Sequence, residues 1–70
     1  MTADQFAALA ELLRLRNASA ARECARLVLV DGMSIGDGAR AVGLPYKDGH
    51  AAVRRVESGL LLAQAAAGLI

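Results

Sequence analysis

The stretch SIGDGARAVGLPYKDGHAAVRRV, residues 34–56, sets two helical patterns end to end across three residues, Gly43, Leu44 and Pro45. Ser34 is followed three residues later by Asp37, an arrangement close to a capping box, which predicts a short helix from Ile35 to Val42. Gly43 supplies the tight turn. Pro45 suits either the last turn position or the first helical one, where its missing N–H is not needed. A second helix then runs from about Tyr46 to Glu57. Two helices joined so briefly form a helix-turn-helix unit. Ala39, four residues before Gly43, is small enough to let the helices approach, and Leu44 can fill the angle between them.

Outward from this unit the chain reads as helix throughout. Thr2 can cap a first helix in which Phe6, Leu9, Leu12, Leu13 and Arg16 form a stripe at three- and four-residue spacing, with Asn17 ending it. Ser19 can cap a second helix reaching Val30, with Ala21, Cys24, Ala25, Val28 and Leu29 on one face, and Gly32 is a natural stop. The expected fold is all-α, a small bundle of four to five helices. Residues 1–59 hold the helix-turn-helix domain, and residues 60–70 form an apolar C-terminal helix.

Composition agrees with this class. The chain of 70 residues is rich in Ala and Leu and holds one Tyr, one Phe and one Pro. Helix formers dominate and strand formers are scarce. A domain this small buries only about 60% of the surface of its unfolded chain, so a staple or a partner is expected. Cys24 is alone, and no cysteine and histidine set has zinc spacing, which leaves self-association. The uncharged run Ser58–Ile70 spans 13 residues, short of the roughly 18 that a membrane span needs. Leu60, Leu61, Leu62 and Leu69 are the candidate dimerisation residues. The opening MTADQF has no basic leader, so the cytoplasm is the expected location. A lone His, a lone Cys and scattered acids offer no nucleophile–base pair, phosphate loop or metal site, so neither catalysis nor a cofactor or small-molecule substrate is expected.

The net charge is only +1, but it is unevenly spread. Residues 1–38 carry four arginines against five acids, whereas residues 39–57 carry Arg40, Lys47, Arg54 and Arg55 against Asp48 and Glu57. On the second helix of the unit, Gly49, Ala52, Val53, Val56 and Leu60 share one face and Lys47, Ala51, Arg54, Arg55 and Ser58 the opposite one. The first face packs. The second suits a DNA major groove, in which the early turns of such a helix reach base edges while flanking cations meet phosphates. Lys47, His50 and Arg54 are the base-contact candidates, since arginine and lysine can donate to guanine and neutral histidine can donate or accept. Ser34, Arg40 and Arg55 are the phosphate candidates. Arg14, Arg16, Arg22 and Arg26 are expected to serve solvation and ion pairing, with Glu23 and Asp31 in reach. Cys24 is expected to be a small core hydrophobe.

The segments TADQF near the amino terminus, ARLVLVDG at 25–32, Ala39, GL at 43 and 44, and AVRRV at 52–56 together resemble the TrfB-type repressors of broad-host-range plasmids, typified by KorA. The resemblance covers most of the chain, without gaps from the second helix onward. It implies a homodimeric transcriptional repressor of palindromic double-stranded DNA operators. It also implies that Tyr46 and Ala51 occupy base-reading positions, where the family has Arg and Gln, so that the operator differs. Gly49 stands where the family has a branched apolar residue, and by helix propensity it costs about 1 kcal/mol. A helical protein-interaction module without DNA binding is the alternative, favoured by the low net charge, the Ala- and Leu-rich tail and Gly49. Tyr46 has an alternative as well, packing its ring on the preceding helix and using only its hydroxyl.

Overall fold

Three hydroxyl side chains start the first three helices. In the computed structural model, which describes residues 1–15 and 19–68, helices α1 (Ala3–Leu12), α2 (Ala20–Leu29) and α3 (Ile35–Ala41) are capped by Thr2, Ser19 and Ser34. Each cap oxygen accepts an amide N–H three residues on, satisfying a donor that the helix itself leaves unpaired. At α1 the box is complete, because the Thr2 N–H donates to Gln5 Oε1 at 3.0 Å. At α3 only the forward half forms: Asp37 N–H donates to Ser34 Oγ at 3.1 Å. The shorter acid turns instead toward Arg40.

The fourth helix, α4 (Tyr46–Gly68), is 23 residues long and begins directly after Pro45, the last turn residue. No break falls near residue 60, where a separate C-terminal segment was expected. Leu, Ala and Gln are good helix formers and no proline follows Pro45, so the helix propagates through Gly59. At about 1.5 Å per residue, α4 spans roughly 34 Å and accounts for the long axis of a molecule measuring 40 × 19 × 18 Å. Among the described residues these four helices are accompanied by no strand.

Helices α1 and α3 end in the same way. Arg14 N–H donates to the Glu11 carbonyl and Leu15 N–H to that of Ala10, just as Gly43 N–H donates to the Arg40 carbonyl and Leu44 N–H to that of Ala39. Both are Schellman closures, which require a left-handed residue at the turn. Gly43 provides it with φ 75° and Arg14 with φ 57°. A side chain in this region costs roughly 1 kcal/mol more than glycine does. This closure ends α1 at Leu12, well before Asn17, which lies outside the described residues together with Arg16. Helical phase sets the stripe, with Phe6, Leu9, Ala10 and Leu13 at three- and four-residue spacing on one side. Phe6, Leu9 and Ala10 are buried, Leu13 is half-buried as the cap, and Leu12 is 70% exposed, contrary to the expectation that it packs.

Two packing centres hold the helices. One joins Phe6, Leu9 and Ala10 of α1 to Ala25 of α2 and Val56 of α4, with Leu13, Leu15, Leu29 and Leu60 closing around it. The other is built of small groups where α2, α3 and α4 converge on Cys24, which is fully buried. A Cβ on Gly38 would stand 2.9 Å from Val28 Cγ2. One on Gly49 would stand 2.7 Å from Ala39 Cβ and 3.2 Å from Cys24 Sγ. Gly49 is therefore a point of close approach between α3 and α4. The packing weakness expected from it is not found, because Ala39, Cys24 and the two helix backbones fill the space that a branched side chain would take. The same economy recurs at Gly59, whose missing side chain admits Leu13.

Candidate nucleic-acid interface

The turn Val42–Pro45 fixes how α4 leaves α3. Gly43 reverses the chain, and Leu44, half-buried, anchors the turn through its N–H to the Ala39 carbonyl at 2.8 Å. Ala39 thus serves twice, accepting this bond while its side chain meets Gly49. From here α4 buries Gly49, Val53, Val56 and Gly59 and half-buries Ala52 and Leu60. That is the packed face read from the periodicity, with Gly59 added.

The remaining arc of the first three turns faces outward. Tyr46, Lys47, His50, Ala51 and Arg54, the residues expected at base edges, are all exposed, so α4 carries them together on one surface. Tyr46 stands at the start of this surface. It is 60% exposed and its ring stacks on His50, with centroids 6.1 Å apart and an interplanar angle of 27°. One turn separates the two residues, so the stack stiffens the start of the exposed surface.

The cations divide by what already engages them. Arg26 pairs with Glu23 and, at 3.1 Å, with Asp31. Those contacts hold the Glu23 carboxyl below its usual range and raise the Arg26 guanidinium above its own. Arg22 lies 6.0 Å over the Phe6 ring, a cation–π contact, and its Nη1 donates to the Leu15 carbonyl at 3.5 Å. Lys47 and Arg54 form no ion pair among the described residues. Both point away from the core.

Of the phosphate candidates, Ser34 and Arg40 are exposed at either end of α3. Ser34 Oγ accepts from Asp37 N–H, which leaves its own O–H free to donate. Arg40 lies 3.8 Å from Asp37 but is 81% exposed at its side chain, a contact that solvent largely screens. Arg55, the third phosphate candidate, is exposed as well and also makes a structural contact. Its Nη2 donates at 3.0 Å to the Leu13 carbonyl, the cap of α1, so it ties α1 to α4. Beside it, Leu15, Ala21, Asp48, Ala51 and Ala52 complete a shallow depression of about 230 Å³ on the flank of α4.

The dimerisation candidates also separate. Leu60 packs into the core of its own chain, because it falls in line with Val53 and Val56. Leu61 and Leu62 are exposed by 66% and 72%, and Leu69 lies outside the described residues. Beyond Leu60 only Ala63 is half-buried among residues 61–68. No described helix is long and apolar enough to cross a membrane.

Sequence reasoning missed Gly59 and Arg14. Gly59 was legible as a small residue in register with Val56, whereas nothing in the sequence marked Arg14 as a left-handed residue. No family model, curated protein or solved structure matches the chain.

Proposed function

We propose that this chain is a sequence-specific DNA-binding protein, a transcriptional repressor that acts as a homodimer on a palindromic operator in the manner of the TrfB type its sequence resembles. The observation that carries this reading is the surface of α4 directly after the turn. It presents Lys47, His50 and Arg54 together, exposed, with both Lys47 and Arg54 outside any ion pair among the described residues. The early turns of a helix held this way are the part that enters a major groove. Arg54 and Lys47 would read guanine, and His50 a donor or acceptor at a neighbouring base edge. Tyr46 and Ala51 border them. Ser34 and Arg40 would meet the phosphates beside α3, and Arg55, held by the end of α1, a phosphate beside α4. A dimer would set two copies of α4 in successive major-groove faces about 34 Å apart. Bound operator would be closed to polymerase by occlusion.

A protein-interaction module without DNA binding is favoured by one observation, the exposure of Leu12, Leu61 and Leu62. The experiment that separates the two is enrichment of duplexes from a random-sequence library, followed by fluorescence anisotropy on the enriched duplex. Wild type should bind it selectively, and Arg54→Ala and Lys47→Ala should each lose about 5- to 150-fold, the value of one good base contact at 1–3 kcal/mol. Arg55 stays in place because its loss would disturb α1. Failure to enrich any sequence, or binding indifferent to both substitutions, rejects the DNA reading in favour of the module.

A further inference from the structure

We propose that Arg14 is a phosphate anchor, a cation held at the flank of α4 to meet the strand that borders the groove α4 occupies. The inference rests on the DNA-binding reading above and adds to it a contact from outside the helix-turn-helix unit.

The backbone supplies the first reason. Helices α1 and α3 close with the same pair of hydrogen bonds, and at α3 the left-handed position is taken by Gly43. Glycine adopts that conformation without steric cost, and it would close α1 equally well. At α1 the position holds Arg14, the one non-glycine residue with positive φ among those described. Nothing in the closure requires a side chain there. What arginine adds is charge and reach.

The second reason is that nearby groups do not consume that charge. Arg14 is exposed and shares a surface depression with Glu11 and Arg22, yet forms no ion pair among the described residues. The third is position. The carbonyl of Leu13, the residue before it, accepts from Arg55 at 3.0 Å, and the Leu13 side chain fills the space left at Gly59. Arg14 thereby follows directly on a residue that is fastened to Arg55 and Gly59 of α4. A helix about 10–12 Å across fills a major groove about 12 Å wide, so a group on its flank stands at the wall, where the phosphates run. Ser34 and Arg40 belong to α3, which meets α4 at Gly49, whereas Leu13 meets it further along, at Gly59. Arg14 would then add a phosphate contact further along α4 than those of Ser34 and Arg40.

A cation just beyond a helix C-terminus also interacts favourably with the carbonyl end of that helix. That role predicts lost stability and unchanged DNA affinity, and the test separates it. Wild type, Arg14→Gly, Arg14→Lys and Arg54→Ala are titrated by anisotropy against the library-enriched duplex and a scrambled duplex at several salt concentrations, and each variant is melted. Arg14→Gly should melt at or above the wild-type temperature while losing affinity by the same factor on both duplexes. Its slope of log K on log salt should become shallower by about 0.9 per subunit, or about 1.8 for a dimer on two half-sites. Arg14→Lys should keep the wild-type slope. Unchanged affinity and slope in Arg14→Gly, with selectivity still lost in Arg54→Ala, overturn the anchor and leave the DNA reading standing. A lower melting temperature with unchanged affinity assigns Arg14 to the helix end and likewise overturns it. A wild type that enriches and binds no duplex removes both.

Discussion

At the residue scale, two glycines of one helix should answer the same substitution in opposite ways. Both sit inside α4, where alanine gains about 1 kcal/mol in helix propensity. At Gly49 the new methyl would meet Ala39 Cβ at 2.7 Å, a group fixed to the α3 backbone, so α3 and α4 must separate. Overpacking of this kind costs about 1–3 kcal/mol. Gly49→Ala should therefore destabilise by about 1 kcal/mol, seen as a melting temperature about 4–8 °C lower. Adding Ala39→Gly should recover part of that loss, since the two sites share one contact. At Gly59 the methyl meets only the tip of Leu13, at 2.9 Å from Cδ1, and that side chain can rotate. Gly59→Ala should be neutral or stabilising, and a loss as large as that at Gly49 would contradict the assignment. Cys24 offers a second measurement. Burial raises its thiol above the ordinary value of 9.0, so the folded state keeps it neutral. Stability tied to the neutral thiol is fully present below that value and is lost as pH rises through the folded one. Native protein at neutral pH should react with a thiol reagent only as fast as it opens, and an immediate reaction would place the sulfur at the surface.

At the element scale, the caps carry the short helices. Helices α1 and α2 have ten residues each and α3 has seven, lengths at which an isolated helix in water is marginal. Ser19→Ala removes the acceptor for Arg22 N–H at 3.1 Å and should cost about 1 kcal/mol, measurable by urea denaturation. Ser19→Asp should restore most of it. Within α2, Glu23 is held below its usual carboxyl range chiefly by its hydrogen bonds to Arg26. A depressed folded value means that the contribution is present above the unfolded value of 4.5 and fades as pH falls through and below it. Glu23→Gln should flatten the acid limb of the stability–pH curve.

At the scale of the whole molecule, α4 is both the core of the bundle and the part that leaves it. It packs chiefly on α2 and α3, while further along it Leu61 and Leu62 lie on its solvent side. These exposed leucines are the surface through which the proposed homodimer would form. Replacing both with lysine should yield monomers by light scattering with little change in the monomer's fold, because neither side chain contributes to the core. A double variant that remained dimeric would move the interface elsewhere, with exposed Leu12 the next surface to test. Monomeric protein should also bind half an operator, with correspondingly weaker and less salt-dependent affinity.

Much of this architecture is written locally. Hydroxyl caps, the left-handed glycines at 32 and 43, and the three- and four-residue spacing of apolar side chains act over one or two turns, and they were enough to place the helices and the exposed surface of α4. The helix-turn-helix order of Ala39, Gly43 and Leu44 belongs to the same range. What only the tertiary structure decided depends on groups distant in sequence. Gly49 reads as a helix weakness until Ala39 and Cys24 are brought against it, and Arg55 reads as a free cation until the end of α1 supplies a carbonyl. Leu60 and Leu61 are alike in composition and adjacent in the chain, yet one joins Val56 in the core and the other meets solvent. Periodicity defines faces to within about one residue's rotation, and only the docking of α1 decides which side of that boundary each leucine takes.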